Sequence, residues 1–158
     1  MREKTLIKAI ISRLPRNIHY QSMTMGSLTS NGTPDTYLDG PESDMWVEWK
    51  QLDAMPRDGL VGGITPAKAR KKGCYTTQQY AWMERRWNNG GNVWGVIGLP
   101  DKRVVLQLTP EQWRNKSSID AAISREELLN HLVSFCTGLP YARTSPARAS
   151  PRGRRAAD

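Results

Sequence analysis

The spacing of apolar positions divides the chain into helices and strands separated by Gly, Pro and Asn breaks. Leu6, Ile7, Ile10, Ile11 and Leu14 recur at i, i+3 and i+4, which predicts a helix over residues 3–14 with one stripe on a core; Pro15 ends it. Residues 17–25, carrying Ile18, Tyr20 and Met23, predict a weakly patterned strand, followed by a polar turn over 26–33. A short strand begins near Asp35 and runs through Tyr37 and Leu38, until Asp39-Gly40-Pro41 breaks it into a hairpin turn. The clearest strand covers residues 45–50. Its alternation puts Met45, Val47 and Trp49 on one face and Trp46, Glu48 and Lys50 on the other.

Residues 53–74 read as one long connection, broken by Gly59, Gly62, Gly63 and Gly73; loops of such length are usually functional or mobile. Thr76 or Thr77 caps a helix over residues 77–88, stopped by Gly90-Gly91. Residues 93–97 and 104–108 predict two more strands joined at Pro100-Asp101. Thr109-Pro110-Glu111 starts a short helix, and Ser124-Arg125-Glu126-Glu127 is a capping box opening a last helix over 125–137. From Ala142 onward almost nothing is apolar, so the expected organisation is one α/β domain over residues 1–141 and a basic disordered tail over 142–158.

With 158 residues, the chain suffices for one compact domain. Its formal net charge of +8 favours a polyanionic partner, nucleic acid above all. The tail's five arginines and one aspartate supply half of that excess, and Lys68-Ala69-Arg70-Lys71-Lys72 forms a second basic segment. Cys74 and Cys136 form no C-x-x-C pair and have no clustered histidine, which argues against a zinc site and suggests reduced thiols in the cytoplasm. His19 and His131 stand alone. No apolar run approaches the length of a membrane span, so no membrane partner is expected. Gly62 to Lys68 lacks the Gly-Lys-Ser/Thr of a P-loop.

The candidate chemistry lies between two strands. Gly32-Thr33-Pro34-Asp35 is followed by Glu48-Trp49-Lys50. Glu48 and Lys50 are two apart on one strand and share a face. Asp35, on a neighbouring strand, can bring a second carboxylate there. Two carboxylates and a backbone carbonyl suit a hard cation such as Mg2+. The ion can polarise a phosphodiester and acidify a water, and an adjacent lysine can stabilise developing phosphate charge. The plainer reading of Glu48 and Lys50 is an exposed ion pair that contributes little.

These residues resemble the PD-(D/E)xK nuclease superfamily. Gln79-x-x-Trp82, Arg85-Arg86 and Gly90-Gly91 followed by Val93 and Val96 are similar to the helix and strand after the motif in the VRR-NUC branch, whose stand-alone members are typical of phages and bacteria. The resemblance covers about residues 3–98. It implies a restriction-endonuclease-like core, a mixed sheet flanked by helices, and hydrolysis of DNA phosphodiesters with Mg2+ or Mn2+. Asp35 and Glu48 would be metal ligands with the carbonyl of Trp49, Lys50 would assist the attacking water, and Gln79 would reach the site from its helix. Glu3 matches the acidic residue often found on the first helix. The basic stretch between Lys50 and Gln79 departs from a minimal core and suits an arm for DNA or a second subunit. Lys68, Arg70, Lys71, Lys72, Arg85 and Arg86 are the expected DNA contacts. By analogy, a homodimer would present two sites to the two strands of a branched substrate such as a Holliday junction. Two rival readings are a non-catalytic DNA-binding or packaging protein, resting on the basic segments alone, and an RNA-directed nuclease or toxin, for which no RNA-recognition motif is visible.

Overall fold

The computed structural model describes residues 2–23, 32–65 and 75–139. Helix α1 (Glu3–Ile11) leads into the edge strand β1 (His19–Ser22), which runs into β2 (Thr36–Asp39) and β3 (Asp44–Gln51). The crossover from β3 holds β4 (Leu60–Gly62), β5 (Ile64–Thr65), β6 (Tyr75–Thr76) and helix α2 (Thr77–Asn88) before β7 (Val93–Gly98). Then come β8 (Val104–Gln107), α3 (Pro110–Arg114), β9 (Lys116–Ser118), a 3-10 turn (Ile119–Ala121) and α4 (Arg125–Thr137). The main sheet has the order β1-β2-β3-β7-β8. Its central pair, β3 and β7, is parallel and its other pairs are antiparallel. A parallel pair needs a long crossover, and α2 supplies it.

The alternation read in β3 sorts its side chains as expected. Met45, Val47 and Trp49 pack with Leu6 and Ile10 of α1, with Trp94 and Val96 of β7, and with Leu128, Leu129 and Leu132 of α4. On the opposite face Trp46 packs against Tyr75, Tyr80, Met83 and Trp113, so α2 and α3 cover that side. The sheet therefore lies between two helical layers, as expected for this class. No helix among the described residues is long and apolar enough to cross a membrane.

Several boundaries depart from the expectation. The first helix ends at Ile11 rather than 14, because its exit tightens: the Arg13 N–H donates to the Ile10 carbonyl at 3.0 Å and the Leu14 N–H to the Ile11 carbonyl at 3.2 Å. Leu14 still packs on the core from this turn, which explains why it extends the helical pattern. β1 is shorter than the expected 17–25, and β8 stops at Gln107. Within 53–74 the described part is not plain loop: β4 pairs antiparallel with β9, and β5 pairs in parallel with β6. Two- and three-residue strands carry no periodicity to read. The capping box at Ser124 with Glu127 is present as read, and of the two threonines offered as the cap of the second helix it is Thr76 that caps, with Gln79 completing a second box. The basic segment containing Lys68, Arg70, Lys71 and Lys72, together with Cys74 and the tail, lies outside the described residues.

Candidate active site

The site is assembled where the start of β2, the middle of β3 and the first turn of α2 meet. Gly32 takes a left-handed φ of +89°, and a Cβ there would run into the Gln78 carbonyl oxygen of α2. Only glycine allows the turn before Asp35 to sit this tightly on the helix. Pro34 follows with its φ fixed, and Asp35 comes out beside β3, where its Oδ2 accepts the Trp49 backbone N–H at 3.2 Å. The Trp49 indole N–H donates to the Thr36 hydroxyl at 3.0 Å, a buried tie between the two strands.

Glu48 lies at the centre, fully buried. Its Oε1 is 2.7 Å from the Lys50 Nζ and also accepts a hydrogen bond from the Gln79 side-chain amide. Gln79 is held in turn by the capping box: its Oε1 accepts the Thr76 N–H at 3.0 Å, while the Thr76 hydroxyl accepts the Gln79 N–H at 3.1 Å. One amide thus ties the α2 N-terminus to the Glu48 carboxylate. Glu48 Oε2 is buried with no hydrogen-bond partner. The strand partner of Glu48 is Gly95. A side chain at Gly95 would strike the Tyr75 hydroxyl, so the missing Cβ makes room for that ring beside the site.

The carboxyl groups feel one another. Burial pushes Glu48 up to about 8; Lys50 opposes the shift, and Asp35 and Glu3 add to it. Asp35 is raised by burial against the lowering effects of the Trp49 N–H and Lys50. Glu3 is raised by burial and by Asp35, again opposed by Lys50. Three carboxyl groups and one lysine thus form one electrostatic unit in which negative charge is under-compensated.

A hard divalent cation fits this donor set. The orphaned Glu48 Oε2 and the raised Asp35 both call for positive charge, and all the donors are oxygen. Asp35 and Glu48 could hold the ion, with the Trp49 carbonyl as a third donor. Among the described residues no group of three or more His, Cys, Asp or Glu side chains is placed to hold a metal ion, so water would fill several positions.

The structure thus brings Glu3, Asp35, Glu48, Lys50 and Gln79 into one neighbourhood. Rather than an exposed pair, Glu48 and Lys50 form a pair whose carboxylate is fully buried and whose lysine is partly buried, because α2 covers that face. Arg85 and Arg86 stand apart. They are exposed in the last turn of α2, whereas Gln79 is in the first, roughly 9 Å away along the axis. Trp94 is buried against Phe135, Trp82 is half-buried edge-on to Trp46, and Trp87 is exposed but meets Trp113 edge-on. His19 and His131 are exposed singles. The contribution of Tyr75 and Gly95 escaped the sequence reading, although a glycine inside a strand pattern signals close approach.

No protein-family model matches the chain, and no curated protein matches it. Among solved structures the fold is similar to that of Hjc, a Holliday junction resolvase from the archaeal hyperthermophile Archaeoglobus fulgidus. The likeness has a TM-score of 0.50 at 10% identity, and covers 80% of this chain and 96% of the other. It agrees with the architecture that the motif resemblance implies and does not reach as far as any family or the VRR-NUC branch. At that identity it speaks for architecture alone: the chain has the restriction-endonuclease-like α/β fold, a mixed sheet flanked by helices.

Proposed function

We propose that the chain is a divalent-metal-dependent DNA endonuclease of the VRR-NUC type that acts on branched DNA such as a Holliday junction. The observation that carries this reading is Glu48. A fully buried carboxylate with one oxygen unpartnered, paired with Lys50 and next to Asp35, is an expensive arrangement for a structural site and a useful one for a catalytic site. The fold likeness to a Holliday junction resolvase supports the substrate class.

In this reading Asp35, Glu48 and the Trp49 carbonyl hold Mg2+ or Mn2+. The bound ion supplies Lewis-acid polarisation of the phosphodiester and a more acidic water. Gln79 fixes the Glu48 carboxylate by donating to Oε1, and Oε2, which has no hydrogen-bond partner, would be the oxygen offered to the ion. Lys50 keeps its ammonium beside the reacting phosphate and stabilises charge that grows there. Glu3 adds a third acidic group at the end of α1. Lys68, Arg70, Lys71, Lys72, Arg85 and Arg86 neutralise phosphates away from the centre, and a homodimer places two such centres on one junction.

The test is cleavage of an end-labelled four-way junction and of a duplex with Mg2+ or Mn2+. The wild type is expected to cut. Asp35→Asn and Glu48→Gln should lose cutting while keeping their fold by circular dichroism. Lys50→Ala should lower the single-turnover rate about 100-fold or more with little change in affinity. A wild-type rate in either carboxylate variant would refute the assignment.

A further inference from the structure

We propose that the groove between α1 and β1 takes an unstacked nucleotide of the DNA strand next to the scissile phosphate, and so selects DNA with a splayed position over continuous duplex. This rests on the nuclease reading of the adjoining centre and names what that centre's substrate must look like.

Helix α1 carries two faces. Leu6 and Ile10 are fully buried in the core. A second face, built from positions 3, 4, 7, 8 and 11 at i, i+1, i+4 spacing, forms one wall of a cavity of about 530 Å3. That size falls within the roughly 300–1,000 Å3 of small-molecule sites. The opposite wall comes from Tyr20 and Ser22, which alternate onto the same face of β1. Glu3 and Asp35 are among its lining residues, so it adjoins the candidate centre rather than lying apart from it.

Its chemistry matches a nucleotide. Half-buried Ile7, with the small exposed part of Ile11, gives apolar surface for a base. Tyr20, 57% exposed on an edge strand, offers an aromatic ring on which any base can stack. Lys4 and Lys8 are exposed and lie one helical turn apart along the same wall; among the described residues neither is in an ion pair. They can meet the phosphates on either side of that base. A continuous duplex keeps its bases stacked and could use only the lysines. A strand splayed at a branch point supplies the base as well, at little unstacking cost.

The test uses the full chain and two DNAs of one sequence: a duplex and a fork with splayed arms, carrying 2-aminopurine at the branch. In EDTA, fork binding by the wild type and by Tyr20→Phe should quench the aminopurine, and binding by Tyr20→Ala should not. With Mg2+, Tyr20→Ala should lower the fork-to-duplex ratio of kcat/KM about tenfold, the size of one lost base stack, and Tyr20→Phe should keep it. The proposal is overturned if Tyr20→Ala quenches like the wild type or leaves the ratio unmoved. If the wild type cuts neither DNA, the nuclease reading falls, and the aminopurine signal alone then upholds or overturns the groove.

Discussion

At the scale of single residues, Glu48 is the fully buried carboxyl at the centre of the candidate site. With no ion bound, burial pushes the Glu48 carboxyl up to about 8 against the opposing pull of Lys50, whereas in the unfolded chain it stays near its ordinary 4.5. Between those limits the folded state binds more protons than the unfolded state, so stability falls as pH rises through the window. Asp35 and Glu3 are shifted in the same direction and steepen the fall. Thermal melts in EDTA from pH 4.5 to 8 should show this decline; Glu48→Gln should flatten it, and excess Mg2+ should counter it in the wild type by taking the proton's place. A wild-type melting temperature that rises across the window would contradict the burial described for Glu48. The shared face of Glu48 and Lys50 was legible, since a strand has a side-chain period of two. The burial of that face was not, because it depends on α2 docking over β3, and no local pattern reports a helix arriving from thirty residues away.

Two elements hold the site by their ends. The turn through Gly32 abuts the α2 N-terminus, and the α2 capping box holds Gln79 against Glu48. Thr76→Ala should cost about 1 kcal/mol of stability, the usual loss for an N-cap, and should also lower turnover because the Gln79 backbone N–H loses the Thr76 hydroxyl, so that only the bond from the Thr76 N–H to Gln79 Oε1 still holds the side chain. Gly32→Ala should be worse on both counts, since it adds a strained φ to a clash with backbone. Urea melts alongside single-turnover cleavage would check the pair. A Thr76→Ala variant that is less stable but turns over at the wild-type rate would show that the cap serves folding only. The sequence announced the Ser124 box and a threonine cap at 76 or 77 because Ser-x-x-Glu and a cap hydroxyl are local signals; that Gln79 completes a second box is seen in the fold. It announced Gln79 as part of the site only through resemblance to a family, since its contact with Glu48 spans 31 positions. The pairing of β4 with β9 had no signal: three residues cannot establish an alternation.

At the scale of the whole molecule, charge and fold make separate contributions. The formal excess of +8 draws the chain to a polyanion. Each phosphate contact removed from the segment of Lys68, Arg70, Lys71 and Lys72 should flatten the slope of log affinity against log salt by roughly one unit. A charge-neutral version of that segment should also reduce junction preference, whereas truncation after Ala142 should weaken junction and duplex about equally. Salt titrations on both DNAs distinguish these outcomes, and the segment's role fails if neutralisation moves neither slope nor preference. The layered α/β architecture was readable from the alternation of strands and helices, because each long element carried its own period. The groove beside α1 was not readable, because the positions that line it, such as Lys4, Ile7 and Tyr20, mix charged, apolar and aromatic types and belong to two elements. Everything proposed about catalysis depends on Asp35 and Glu48 sharing one ion. Calorimetric titration of the full chain with Mn2+ measures that directly. One saturable site in the wild type, lost in both Asp35→Asn and Glu48→Gln while their folds persist, is the predicted result; a wild type that binds no ion, or variants that bind it equally well, would contradict the account.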